Sequence, residues 1–224
     1  MLLLFWKNKV FIASFIALSM FLSGCRQTPP EPTLDATGYL DDEGSVRIWR
    51  KDLVQTPLVV KTAYQPYHNG HEVITTYHYV SGSLSEISRQ IHASSEIMEQ
   101  LRFDDDKKLT FNQRILSDRK EMIKQIDIDN LVYQANEILQ LSTVLRAGQV
   151  KLIQGYFQND NVITCQGDNA TLNLERSQQN EVEKYPSQFK PLYIAWLHAP
   201  SGDELLQLTG NDLCASEPTL ESLN

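Results

Sequence analysis

No run of residues in this 224-residue chain announces a reaction. GxSxG, HExxH and a phosphate-cradling glycine loop are all missing, which removes the usual signatures of nucleophilic, zinc-dependent and nucleotide chemistry. Ser117-Asp118-Arg119-Lys120 matches SxxK, but the SDN and KTG companions that give SxxK its meaning are absent. Basic clusters are lacking as well: 20 Lys and Arg face 28 Asp and Glu. An acidic chain without a basic patch points away from nucleic acid and from anionic membrane surfaces. Cysteine is scarce, three in all, and none falls in a CxxC pair, which excludes a dithiol redox motif and a zinc ribbon.

What is present begins at the amino terminus. Lys7 and Lys9 give a positive start, and Val10 to Leu22 is apolar except for Ser14 and Ser19. Thirteen residues make roughly 20 Å of helix, short of the ~30 Å hydrocarbon core, so the segment reads as a cleaved export signal rather than a permanent span. It ends in Leu22-Ser23-Gly24-Cys25, which resembles a bacterial lipobox. That resemblance implies lipidation of the Cys25 thiol and cleavage before it. Arg26 replaces the aspartate that retains such proteins at the inner membrane, so the resemblance further implies an outer-membrane location with the domain facing the periplasm. The acyl chains, at about 0.8 kcal/mol per buried CH₂, would be the membrane contact. Pro29, Pro30 and Pro32 then stiffen a tether.

Cleavage would leave residues 25–224, with 18 basic and 28 acidic side chains, a net charge of −10. The expected organisation is a signal peptide at 1–24, a lipidated proline-rich tether at 25–38, one periplasmic domain at 39–214 and a frayed tail at 215–224. Lipidation of Cys25 leaves Cys165 and Cys214, an even pair that in an oxidising compartment is expected to form a disulfide.

The domain opens in strand-like alternation. "GSVRIWRK", "PLVVKTAY" and "HEVITTYHYV" are followed by two hairpins, "YHYVSGSLSEISR" and "LRFDDDKKLTFNQR". Short connections between β-rich runs predict an antiparallel meander. Ile128, Leu131, Val132, Ala135, Ile138 and Leu139 recur at helical spacing, which predicts one helix over about 128–147. Asp127 or Asp129 is the expected N-terminal cap and Gly148 the stop. Asn169 to Pro186 reads as a polar loop with one short strand, and "KPLYIAWLHA" and "ELLQLTG" as late strands. The fold class is therefore α+β, an antiparallel meander sheet with one main amphipathic helix packed on it.

The polar residues form no convincing site. His71 and His78 have opposite parity on one strand, so "HNGH" with His78 does not converge on a metal. "DIDIDN" lacks the glycine and terminal glutamate of a calcium loop. No metal and no cofactor is expected. Aromatics remain: Trp49, Tyr64, Tyr67, Tyr77 and Tyr79 crowd the N-terminal strands. They are either a binding surface for a partner or acyl chain, or core packing beneath the helix.

The lipobox, "GYLDDEGSVRIWRKD", "LRFDDDKKLTFNQR", the helix ending in "LRAGQV", and "AWLHAPSG" before a cysteine together resemble the YjaH-like lipoproteins of enteric and related bacteria, a family of unknown function. The resemblance covers most of the mature chain and brings no reaction, ligand or catalytic residue. The expected function is that of a non-catalytic envelope lipoprotein binding a protein or other envelope component. The alternative is a carrier or sensor of an apolar ligand held between sheet and helix.

Overall fold

The computed structural model describes residues 29–68, 70–93, 95–158, 161–185 and 191–223. Cys25, Arg26 and the signal segment lie outside them. Residues 32–224 form one compact unit.

Eight antiparallel strands come first: β1 (Thr33–Leu40), β2 (Gly44–Leu53), β3 (Thr56–Pro66), β4 (Val73–Val80), β5 (Ser83–Ile91), β6 (Ile97–Phe103), β7 (Leu109–Ile115) and β8 (Lys120–Glu121). They pair in chain order, each with the next, as the short connections predict. Helix α1 (Gln125–Ala147) follows. A second sheet is built from β9 (Lys151–Gln158), β10 (Asn161–Thr164), β11 (Asn169–Ala170), β12 (Tyr193–Ala199) and β13 (Gly202–Thr209), in the order β11-β10-β9-β12-β13. A short helix, α2 (Arg176–Lys184), precedes β12. The α+β reading holds. The second sheet forms a separate layer, where a single sheet was expected.

The layering follows from the alternation of β2. Val46 and Ile48 join the core beneath α1, with Val60, Ile87 and Leu101. Trp49, from the opposite face, joins Val59, Ala63, Leu152, Leu197 and Leu206 between the two sheets. α1 is held by Ile128, Leu131, Ala135 and Ile138, which recur every three or four residues along one face. The outer face of the second sheet is covered in turn by Leu172, Leu174 and Val182. Gly38 makes the contact between β1 and the second sheet close: a Cβ there would lie 3.3 Å from both Leu197 and Leu206 side chains and 2.5 Å from the Val46 carbonyl.

Several local expectations change. The tether was expected to run to Gly38, but the chain enters β1 at Thr33, directly after the last proline, and pairs with β2 through Leu40. No side chain caps α1: its first residue follows Lys124, while Asp127 sits in the first turn and faces Arg114 at 3.6 Å. At the other end Gly148 is the stop, as expected, and caps α1 after Ala147, but the left-handed residue is Gln149, at φ 60°. The polar stretch expected as a loop contains α2, whose only core contribution is Val182. The β2–β3 hairpin turns on Val54 and Gln55 at φ 48° and 66°, a left-handed pair with no glycine and a β-branched residue at the tip.

The tail expected to fray is packed. Leu213 and Leu223 are buried between the sheets. Gln154 Nε2 donates to the Leu213 carbonyl at 3.3 Å, and Lys51 Nζ donates to the Leu223 carbonyl at 2.6 Å. Cys165, after β10, is bonded to Cys214 across a separation of 49 residues, with Cα atoms 5.1 Å apart. The bridge fastens this C-terminal segment to the second sheet. Replacing Cys165 by serine should lower stability by about 2–5 kcal/mol. Hydrogen exchange should accelerate first in residues 210–223 and leave β4–β7 protected; uniform acceleration across both sheets would contradict that local role.

Candidate functional site: two clefts flanking helix α1

Strand register lays the α1-facing side of the first sheet out in rows that cross the strands. The row beneath the helix runs Asp35–Arg50–Val60–Tyr77–Ile87–Leu101–Asn112. Its middle is apolar and buried. Its ends are polar and grip the helix. Asn112 exchanges two hydrogen bonds with the backbone of Ile123, at 2.8 and 3.0 Å, just ahead of α1. At the far end Arg50 Nε donates to Asp52 Oδ1 at 2.7 Å, and its Nη1 donates to the Ser142 and Thr143 hydroxyls on α1. Arg146 closes the network, donating to Asp52 Oδ2 at 2.6 Å and Asp35 Oδ2 at 3.1 Å. Two guanidinium groups meet two carboxylates, so the clamp carries no net charge. The hydrogen bond to Asp52 is the main reason Arg146 holds its proton above the ordinary value.

The helix is narrower than the sheet, and a cleft opens on each flank. The first is a half-open groove of about 570 Å³ beside the β4–β5 and β6–β7 turns. Bulges at Tyr79 and Phe103 shift the ladder there. Beyond them the cross-strand pairs Tyr79–Leu84 and Phe103–Leu109 form the floor. Ile128, Val132 and Leu139 of α1 form the wall, and Lys107, Asp129 and Tyr133 stand among the polar and aromatic residues that line it. Tyr79 donates its hydroxyl to the Ala135 carbonyl at 3.3 Å. Burial pushes its pKa up, so it remains a neutral donor.

The second cleft, about 370 Å³, lies on the other flank. Two adjacent rows make its floor. One runs Tyr39–Val46–Tyr64–Val73; the next contributes Thr62–Thr75–Arg89 and continues beyond the cleft through Glu99, Arg114 and Glu121. Gln134 and Ile138 of α1 form the wall and Asp41 the mouth. Glu99 is buried between Arg114, at 2.6 Å, and Arg89, at 3.6 Å. Tyr77, whose hydroxyl is pushed up to about 12 by burial, separates this cleft from the core.

The five aromatics expected as one surface are distributed. Tyr64 and Tyr77 line the second cleft and Tyr79 the first. Trp49 is 2% exposed, between the sheets, with the Arg47 guanidinium 5.4 Å from its ring centroid. Burial pulls Arg47 below its ordinary value, and Glu72, at 2.5 Å, opposes that shift. Tyr67 is 47% exposed, after the end of β3. Tyr39, Thr62, Thr75 and Arg89 escaped sequence reasoning. Their signal was parity: on β3, Thr62 and Tyr64 share a face.

This architecture defines a two-sheet α+β domain whose main helix spans the first sheet between two clefts. The chain belongs to the family described as protein of unknown function DUF1481, whose model matches residues 36–219. It is also similar to "Uncharacterized protein YjaH" of Escherichia coli (strain K12), with 30% identity over 220 residues, 97% of this chain and 93% of that protein. No solved structure matches the chain.

The clamp sets where α1 lies and hence how wide each cleft is. Asp52→Ala leaves Arg50 and Arg146 facing each other around a buried gap, and should destabilise the fold by about 3–5 kcal/mol in urea unfolding. A triple replacement, Arg50→Met with Asp52→Leu and Arg146→Met, should cost less than Asp52→Ala alone. The reverse order would mean that the cost arises from lost packing rather than unpaired charge.

Proposed function

We propose that this chain is a lipid-anchored, non-catalytic envelope protein whose domain takes up an apolar ligand, an acyl chain, in the groove between α1 and the β4–β7 hairpins. The carrying observation is the groove itself: its floor and wall are Leu84, Phe103, Leu109, Val132 and Leu139, in a space of about 570 Å³. That size and lining suit a small apolar ligand. Among the described residues each cleft has a single lining carboxylate, Asp129 in one and Asp41 in the other, so these residues present no pair for acid–base work.

The anchor in this reading is Cys25, and Arg26 supports an outer-membrane address with the domain in the periplasm. The Cys165–Cys214 bridge is in keeping with an oxidising compartment. The acidic balance argues against nucleic acid as a partner. A protein partner in the envelope is the second reading. It is favoured by Ile126, Tyr133 and Val144, which are exposed along one outward stripe of α1.

Two measurements test the first reading. With a clickable palmitate analogue, the wild type should be labelled in cells and Cys25→Ser should not; equal label on both would remove the anchor. Purified protein should enhance the emission of a pyrene-labelled fatty acid. Val132→Trp, which fills the groove from its wall, should weaken that response at least tenfold while circular dichroism is unchanged. An undiminished response would place the ligand elsewhere.

A further inference from the structure

We propose that the second cleft is a carbohydrate-binding site that takes a short, uncharged pyranose oligosaccharide. This inference is independent of the apolar groove: it rests on the juxtaposition of Tyr39, Tyr64, Arg89, Asp41 and Gln134 over a floor of threonines.

The rings come first. Tyr39 and Tyr64 both pair with Val46, one from each side of β2, so they stand on the same face two strands apart. Both are only partly buried. The seat of the Tyr64 ring is specific. Gly44 lies beneath it, where a Cβ would come within 2.6 Å of ring carbon Cε2 and 2.9 Å of Cζ. The missing side chain lets the ring lie against the β2 backbone. A face so presented receives the C–H side of a sugar ring, because the ring quadrupole is negative at its face.

The polar groups come next. Thr62 and Thr75 are buried in the floor, and Arg89, Gln134 and Asp41 converge from β5, α1 and the β1–β2 turn. They supply hydroxyl, guanidinium, amide and carboxylate groups, donors and acceptors together. The Thr62 hydroxyl donates to the Thr75 carbonyl at 3.5 Å and keeps its accepting lone pairs, so a ligand that meets these groups must both donate and accept along its length. Hydroxyl-bearing rings do this.

Charge excludes the main competitor. Arg89 would suit a phosphate or carboxylate, but it already faces buried Glu99 at 3.6 Å, and Asp41 lies at the mouth of the same cleft. The local sum of Arg89 and Asp41 is zero before Glu99 is counted. An anionic ligand therefore gains no net attraction, whereas a neutral one needs none. A volume of about 370 Å³ holds a sugar segment lying along the rows, within the usual range of small-ligand sites.

The test uses the full lipoprotein in a zwitterionic, sugar-free detergent. Isothermal titration and saturation-transfer NMR are run with chitotetraose, cellotetraose, inorganic phosphate and a tetra-alanine peptide as probes. At least one of the two oligosaccharides is expected to bind, with transfer strongest to its ring C–H protons. Tyr64→Ala and Arg89→Ala should each weaken that binding at least tenfold. Tyr67→Ala, outside the cleft, and Val132→Trp, in the groove, should leave it unchanged; loss of fatty-acid binding in Val132→Trp with sugar binding intact separates the two sites. Should Arg89→Ala fail to fold, Arg89→Lys, which keeps the charge beside Glu99 but loses the planar fork, must still weaken the oligosaccharide. Absence of binding by both oligosaccharides to the wild type overturns the proposal. So does binding of phosphate or tetra-alanine in their place, or oligosaccharide binding that survives Tyr64→Ala.

Discussion

β2 is covered on both sides, and the rest of the fold is arranged around that constraint. Seven consecutive residues, Gly44 to Arg50, are buried. One face of the strand meets α1 and the other meets the second sheet. Such a strand cannot send its charged residues to water. It carries Arg47 and Arg50, one on each face, and each is buried among partners supplied by other elements. Arg47 is met by Glu72 and by Gln154 of β9; Arg50 is met by Asp52 and by the α1 hydroxyls. Buried ion pairs of this kind gain little over apolar packing, but breaking one is costly. Their effect here is positional. Each arginine accepts only one placement of the layer above it.

That positional role explains where α1 lies. Apolar burial fixes which face of the helix points down but leaves its translation along the sheet loosely determined. Arg50 removes the freedom by reaching the hydroxyls of Ser142 and Thr143, and Arg146 by reaching back to Asp52 and Asp35. At the other end the Asn112–Ile123 exchange fixes the entry to the helix. With both ends held, the helix covers the central row and the nearest residues of the flanking rows, among them Ile48 and Tyr79, and leaves the outer parts of those rows partly open. The clefts are thus consequences of a narrow helix pinned over a wide sheet.

How much of this was legible beforehand depended on whether the information is local. Alternation in "GSVRIWRK" and "HEVITTYHYV" is local, and so is the helical spacing from Ile128 to Leu139; both elements were read correctly. The disulfide followed from parity of the cysteine count. The second layer was hidden, because alternation at β2 assigns Trp49 to a face without saying that the face is covered. α2 was hidden by its composition: "RSQQNEVEK" has one apolar residue, so no periodicity exists to detect. The Val54–Gln55 turn carries none of the glycine or asparagine that marks a left-handed pair, and the break was visible only as polarity. The clefts were the least legible feature. Tyr39, Thr62, Thr75 and Arg89 come from β1, β3, β4 and β5, and only the register places them together.

The contrast between the clefts comes from a shift of two residues along one strand. On β4, Thr75, Tyr77 and Tyr79 share a face. Thr75 faces the polar cleft, Tyr79 the apolar groove, and Tyr77 the core between them. The same order repeats on β5, where Arg89 belongs to the polar row, Ile87 to the buried row and Leu84 to the apolar floor, and on β6 with Glu99, Leu101 and Phe103. Three neighbouring strands thus agree on a gradient from charged to apolar across the width of the sheet. Packing α1 uses the buried row together with Val46 and Ile48 on one side of it and Tyr79, Leu84 and Phe103 on the other. A sheet whose surplus face served nothing but solubility would be polar on both sides of the helix. Here the side away from the charged row is apolar and only partly covered, which is costly to leave open to water. That asymmetry is the feature of the fold on which the proposed ligand site rests.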